Sequence, residues 1–186
     1  MKLLSLFFFA VVCLAVAKHM FWSFRAQNPK NYAETNPAFS LKQHLSGDIL
    51  SEGIIFGPNG RMTNSFVANM HGAWDGNSGT LSENFAYSNG TKQVRKWYLS
   101  LGENGAFTAT ADDIVGEAQG QVSGSTVKMQ YRIVLPEQAG GQTLDVTDWL
   151  YLTENGTIMN KSELRKFGLK VAELNATMRP TAKESD

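Results

Sequence analysis

The chain predicts an all-β fold: an antiparallel up-and-down barrel of about 8–10 strands, with a short helix at one mouth. Three observations carry this. Pro58-Asn59-Gly60, Ser88-Asn89-Gly90, Glu103-Asn104-Gly105 and Glu154-Asn155-Gly156 share one turn pattern. Each is flanked by runs in which apolar and polar residues alternate, the strongest short-range signal for a hairpin. The 17 glycines and 11% aromatics suit many tight turns between half-buried strands.

The N-terminus stands apart from that pattern. Lys2 is followed by an apolar run from Leu3 to Ala17, 15 residues long. A bilayer span needs about 20. The run fits a secretory signal, and Ala15-Val16-Ala17 supplies a cleavage site. The competing reading is a retained anchor continued by Phe21, Trp22 and Phe24, across Lys18 and His19. Either way the domain is expected outside the cytoplasm, in the periplasm or at the inner membrane. Cys13 is the single cysteine and is preceded by Val12, where a lipoprotein signal wants a small residue. This argues against lipid attachment and leaves an exported domain without a thiol. Disulfides, zinc-thiolate sites and cysteine nucleophiles are then excluded.

The chain divides into a signal peptide or membrane anchor at 1–17, a linker or extended lead-in at 18–38, a barrel at 39–180 and a disordered tail at 181–186. Asn28-Pro29-Lys30-Asn31 and Asn36-Pro37 mark the lead-in as turn-forming. Phe39, Leu41 and Leu45 are spaced for one or two helical turns, ended by Gly47. Strands are expected at 46–57, 61–74, 79–87, 91–102, 105–111, 114–122, 125–135, 143–153, 157–166 and 168–178. Such a meander should close and leave no open edge.

Register then sorts side chains onto faces. A three-residue loop at Ser88-Asn89-Gly90 sets Glu83 opposite Arg95 and Leu81 opposite Trp97. The same rule at Glu103-Asn104-Gly105 sets Leu99 opposite Ala109 and brings Arg95 level with Asp113. At Glu154-Asn155-Gly156 it sets Asp148 opposite Ser162, with Asn160 diagonal. Glu83, Arg95, Asp113, Asp148 and Asn160 are therefore expected inside, beside Trp97, Leu99 and Phe107.

The stretch Asp112-Asp113-Ile114-Val115-Gly116-Glu117-Ala118-Gln119-Gly120 is harder to orient. A two-residue turn at Ser123-Gly124 sets Gly116, Ala118 and Gly120 opposite Tyr131, Met129 and Val127. The small residues then face inward, leaving volume for a cavity, and Glu117 faces outward. A loop one residue longer reverses this and brings Glu117 in. Alternatively Tyr131, Met129 and Phe107 fill the space. A filled core with Trp97 and Tyr131 in contact would mark a solid barrel.

Charge and motif exclude other classes. The chain carries 17 basic and 17 acidic residues with no basic stripe, which argues against nucleic-acid binding. His19, His44 and His71 lack metal-ligand spacing and pair with no nucleophile. Asp75-Gly76-Asn77-Ser78-Gly79 begins like a calcium loop but does not continue with oxygen ligands. No cofactor motif is present, glycine-rich phosphate loops included.

Several segments together resemble a bacterial domain-of-unknown-function family, DUF3833. They are Thr110 to Gly120, Asp145-Val146-Thr147-Asp148-Trp149-Leu150-Tyr151, Gly156 to Lys161 and Lys166-Phe167-Gly168. Leu81 to Phe85, Arg95-Lys96-Trp97 and Pro37 to Gly47 are similar to its earlier hairpin and lead-in. The resemblance covers roughly residues 37–178. It implies a lipocalin/calycin-like barrel in the envelope of a Gram-negative bacterium, and no established activity.

The sequence thus suggests a binding module for a small lipid or other amphiphile, with possible membrane association through the N-terminus. Trp97, Phe107, Met129 and Tyr131 would form its apolar wall. Arg95 would meet a carboxylate or phosphate head, although Glu83 and Asp113 already neutralise it. Asp148 and Asn160 complete the polar set, and Glu117 joins it in the alternative register. An enzyme acting on a lipid or isoprenoid would use Asp113 or Glu83 as general acid or base. A ligand-free structural barrel is the third reading.

Overall fold

The computed structural model describes residues 2–21 and 23–181. Ten strands form the barrel: β1 (Gly47–Phe56), β2 (Met62–Asp75), β3 (Ser78–Tyr87), β4 (Lys92–Leu101), β5 (Ala106–Thr110), β6 (Ala118–Ser123), β7 (Thr126–Val134), β8 (Thr143–Leu152), β9 (Ile158–Lys166) and β10 (Leu169–Pro180). Each pairs antiparallel with its neighbour in sequence, and β10 closes the barrel on β1. This is the expected up-and-down meander. Alternation sets the core: Ile49 and Ser51 on β1, then Phe66, Ala68 and Met70 on β2, are buried at every second position.

The expected hairpin registers hold at three turns. Glu83 lies opposite Arg95 and Leu81 opposite Trp97. Leu99 lies opposite Ala109 and Leu101 opposite Phe107. Asp148 lies opposite Ser162 and Leu152 opposite Ile158. A glycine or asparagine with positive φ serves each turn, Gly90, Asn104, Gly105 and Gly156 among them.

The β5–β6 connection departs from expectation. β6 begins at Ala118, and residues 111–117 form a loop in which only Ile114 bridges β7, at Ile133. The turn after β6 is Gly124-Ser125, so Gly120 meets Met129 rather than Val127. The shift is two residues, so Ala118 and Gly120 keep their inward face while Gly116 is lost to the loop. Gly116 is exposed with φ of 72°. The small residues do not open the cavity either. A Cβ on Gly120 would overlap the Phe107 ring, and one on Gly53 would sit 2.5 Å from the Phe66 ring. In both cases the cross-strand aromatic lies over the glycine.

Helix α1 (Lys2–Phe21) precedes the barrel. Its described apolar side chains, Leu4 and Phe7 to Phe9 among them, are exposed. Among the described residues no helix is long and apolar enough to cross a membrane. Trp22 and residues 182–186 of the expected tail lie outside the described residues. Thr181 is tied to the Asp48 carbonyl at 2.9 Å.

The segment read as a linker is a strap packed on the barrel wall. It forms 3-10 turns at Phe24–Ala26 and Pro29–Tyr32, the second closed by an Asn28 capping box. Tyr32 packs on Trp149 at 5.3 Å and on Tyr151 at 6.1 Å. Trp149 points outward from β8, yet the strap leaves it 0% exposed. Only glycine fits at position 124, because a Cβ there would overlap the Tyr32 carbonyl.

Helix α2 (Leu41–His44) then plugs one mouth, capped by the Ser40 hydroxyl. Leu41 and Leu45 are buried. The Trp74 indole donates to the Leu45 carbonyl at 2.9 Å.

Candidate functional site

The barrel encloses a cavity of about 140 Å³. Its wall is apolar over most of its extent: Leu41 and Leu45 from α2, Met70 and Leu81, Leu99 and Val127. One side is polar. There β3, β4, β7, β8 and β9 contribute Glu83, Arg95, Tyr131, Asp148 and Asn160.

Arg95 is the hub of that side. Its Nε donates to Asp113 Oδ1 at 3.0 Å. Its guanidinium lies 4.1 Å from the Trp97 ring centroid and 5.6 Å from that of Tyr131. The Tyr131 hydroxyl donates to Asp148 Oδ2 at 3.0 Å. Trp97 and Tyr131 meet edge-on at 5.2 Å. Asp113 reaches Arg95 because β5 pairs with β4 only from Tyr98 to Leu101, and the 111–117 loop continues the wall beyond. The loop is fixed to β7 through Val134 N–H to the Asp113 carbonyl, 2.7 Å.

Burial sets the protonation. It pushes Glu83 up to about 7, an effect Arg95 opposes and Asp148 and Asp113 reinforce. Burial also raises Asp148, an effect the nearby Ser162 and Tyr131 hydroxyls oppose. Burial, then the Asp148 charge, holds Tyr131 well above the usual phenol range. Three polar atoms of this cluster are buried without a partner: Glu83 Oε2, Arg95 Nη2 and Asp148 Oδ1. Each such atom costs about 1–3 kcal/mol, so folded proteins rarely leave several together.

Of the residues singled out from the sequence, Glu83, Arg95, Trp97, Phe107, Met129, Tyr131, Asp148 and Asn160 all line the cavity. Asp113 is behind Arg95 rather than on the wall. Glu117 is not part of the site. It is exposed and accepts from Gln119 at 3.2 Å, because β6 starts one residue later and the loop carries it outside. Phe66, Phe85 and Ser162 also line the cavity, beyond the site residues the sequence singles out. Phe85 was readable as the residue two positions from Glu83, and Ser162 as the partner opposite Asp148. Phe66 required the β2–β3 register, which no x-Asn-Gly turn marks. Among the described residues no cluster of His, Cys, Asp and Glu is arranged to hold a metal.

The model of the family described as "Protein of unknown function (DUF3833)" matches residues 18–180, and the chain belongs to that family. No curated protein matches it. Among solved structures it is similar to an S-type phycobiliprotein lyase from Guillardia theta, at TM-score 0.59 and 9% identity over 85% of this chain and 99% of that one. It is also similar to Rv2717c from M. tuberculosis, at TM-score 0.55 and 14% identity over 80% and 99%. At these identities the likeness is one of fold, a lipocalin/calycin-like barrel.

Proposed function

We propose that this member of the DUF3833 family binds a small amphiphile inside its barrel, with the polar group at Glu83, Arg95 and Asp148. One observation carries the reading. Three unpartnered buried polar atoms fall together in residues that line the same cavity. A partner molecule completes them, and the apolar body packs against Met70, Leu81 and Leu99. Trp97 and Tyr131 do touch, as a solid barrel would require. The cavity persists beside them nonetheless. Its 140 Å³ is below the roughly 300–1,000 Å³ of ordinary ligand pockets. It suits a group of about benzene's size, as a comparable engineered cavity does. A lipid of any length would have to emerge between strands or past the 111–117 loop. The apolar, exposed α1 supports export to the cell envelope and contact with a membrane there.

The test is native mass spectrometry of protein isolated from its own host. A bound small molecule is expected, and it should be lost in Ala109→Met, which fills the cavity from a 2% exposed position. Protein that is empty in every preparation would refute the reading.

A second reading rests on Glu83. A buried carboxyl near 7 is matched to general acid–base work at neutral pH. It predicts turnover of the bound molecule, abolished in Glu83→Gln while the molecule is still retained. A molecule recovered chemically unchanged after prolonged incubation counts against it.

A further inference from the structure

We infer that the polar group this cavity takes is a cationic amine, not a carboxylate or a phosphate. The inference rests on the binding reading above and deepens it. The site holds three carboxylates, Glu83, Asp113 and Asp148, against one guanidinium. Asp113 already engages that guanidinium through Nε at 3.0 Å. One face of it is covered by Trp97 at 4.1 Å. What remains unsatisfied is two carboxyl oxygens and one N–H donor. An ammonium donates to Glu83 Oε2 and Asp148 Oδ1 together. A hydroxyl or carbonyl next to it accepts from Arg95 Nη2. An anionic head would instead bring a fourth acidic group to three carboxyls that share one guanidinium, already paired with Asp113.

The apolar surroundings agree. Phe66 and Phe85, edge-on at 5.2 Å, give the same cavity an uncharged aromatic lining. The cavity volume admits one ring bearing a short amino arm. The occupant is therefore a compact arylalkyl or alkyl amine with an oxygen near the nitrogen.

Proton balance gives the inference a signature. Without a ligand the surplus negative charge is relieved by a proton on Glu83. An ammonium replaces that proton, so amine binding should strengthen as pH rises through neutrality. The groups facing Glu83 are Arg95 on β4, Asp113 in the loop, Asp148 on β8, and Tyr87 on β3. Tyr131 on β7 is coupled to it through Arg95 and Asp148. β2 faces it with the uncharged Met70. Of these, Glu83 is the group raised to about 7.

The experiment titrates the full chain with benzylamine, benzyl alcohol and benzoate, following the Trp97 indole N–H by NMR. Benzylamine should bind at least about tenfold more tightly than benzoate at pH 8. Its affinity should fall about tenfold from pH 8 to pH 6, where Glu83 takes up its proton. Benzyl alcohol should show no such dependence. Glu83→Gln should remove both the amine preference and the pH dependence. The wild-type comparison decides the matter even where that variant fails to fold. Benzoate binding as tightly as benzylamine, with benzyl alcohol also bound, overturns the amine and leaves the binding reading standing. If none of the three binds, both fall.

Discussion

Glu83→Gln tests the energetic basis of the site directly. Glu83 is 7% exposed, and burial is the main reason its pKa rises from 4.5 to about 7. A carboxyl raised on folding stabilises the protein fully below its unfolded pKa. That stability drains away as pH climbs through the interval and is gone above the folded pKa. The interval from 4.5 to about 7 is worth about 3 kcal/mol, at about 1.4 kcal/mol per pH unit. Glutamine keeps the shape and cannot ionise. It gives up the carboxylate's charge attraction to Arg95, at about 1 kcal/mol. The variant should therefore be about 2 kcal/mol more stable than the wild type at pH 8, and equal or weaker at pH 4.5. In a domain of this size the gain raises Tm by about 4–8 °C. The assay is urea denaturation at steps between pH 4.5 and 8, on protein refolded to remove any bound molecule. All other groups titrate in both proteins, so the difference between the two curves reports Glu83. Parallel curves across that range would refute the reasoning.

Three further outcomes follow from the packing. Gly72→Val places a side chain against the Leu45 backbone carbonyl and should cost more than about 2 kcal/mol. Hydrogen exchange should locate the loss at 41–45, the α2 plug, before it reaches the strands. Tyr32→Ala removes the ring between Trp149 and Tyr151 and should cost about 2–4 kcal/mol in urea denaturation, with faster exchange over 24–36. Asp113→Asn breaks the 3.0 Å pair with Arg95. Exchange in 111–117 should quicken at least about tenfold while β2 and β3 stay protected, and Glu83 should titrate lower, because the Asp113 charge raises it.

How much of this was legible follows from where backbone chemistry is local. The x-Asn-Gly turns dictate their own geometry, so Glu83–Arg95, Leu99–Ala109 and Asp148–Ser162 could be paired from sequence alone. Residues 111–117 have no such turn. Their path depends on β7, through Ile114 and Ile133 and the Asp113 carbonyl, and that is a tertiary matter. The sequence pattern therefore extends a strand through Gly116 and Glu117, where the chain forms a loop. The strap was hidden for a related reason. Trp149 alternates outward on β8, and nothing near it in sequence announces that Tyr32, over a hundred positions earlier, covers it. Polarity in the lead-in suggested a free linker, whereas Asn28 and Thr35 serve as caps and anchors for packed structure.

The origin of the cavity bears on what the cluster is for. Glycines 53 and 120 are covered by the aromatics opposite them, so these two glycines leave no void. The space lies beside the polar side chains of Glu83, Arg95 and Asp148, which leave one another partly unsatisfied. A network kept for stability would be closed, because open polar groups in a core cost more than apolar ones of the same shape. Replacing the three together, as Glu83→Leu, Arg95→Met and Asp148→Leu, separates the two purposes. If the cluster serves a ligand, the triple variant should be at least as stable as the wild type at pH 8 in urea denaturation. It sheds three unpartnered atoms and forfeits the pair with the half-buried Asp113 and the hydrogen bond from Tyr131. It should also lose benzylamine binding altogether. A triple variant destabilised by several kcal/mol would show instead that the cluster holds the barrel together, and that the cavity beside it is incidental.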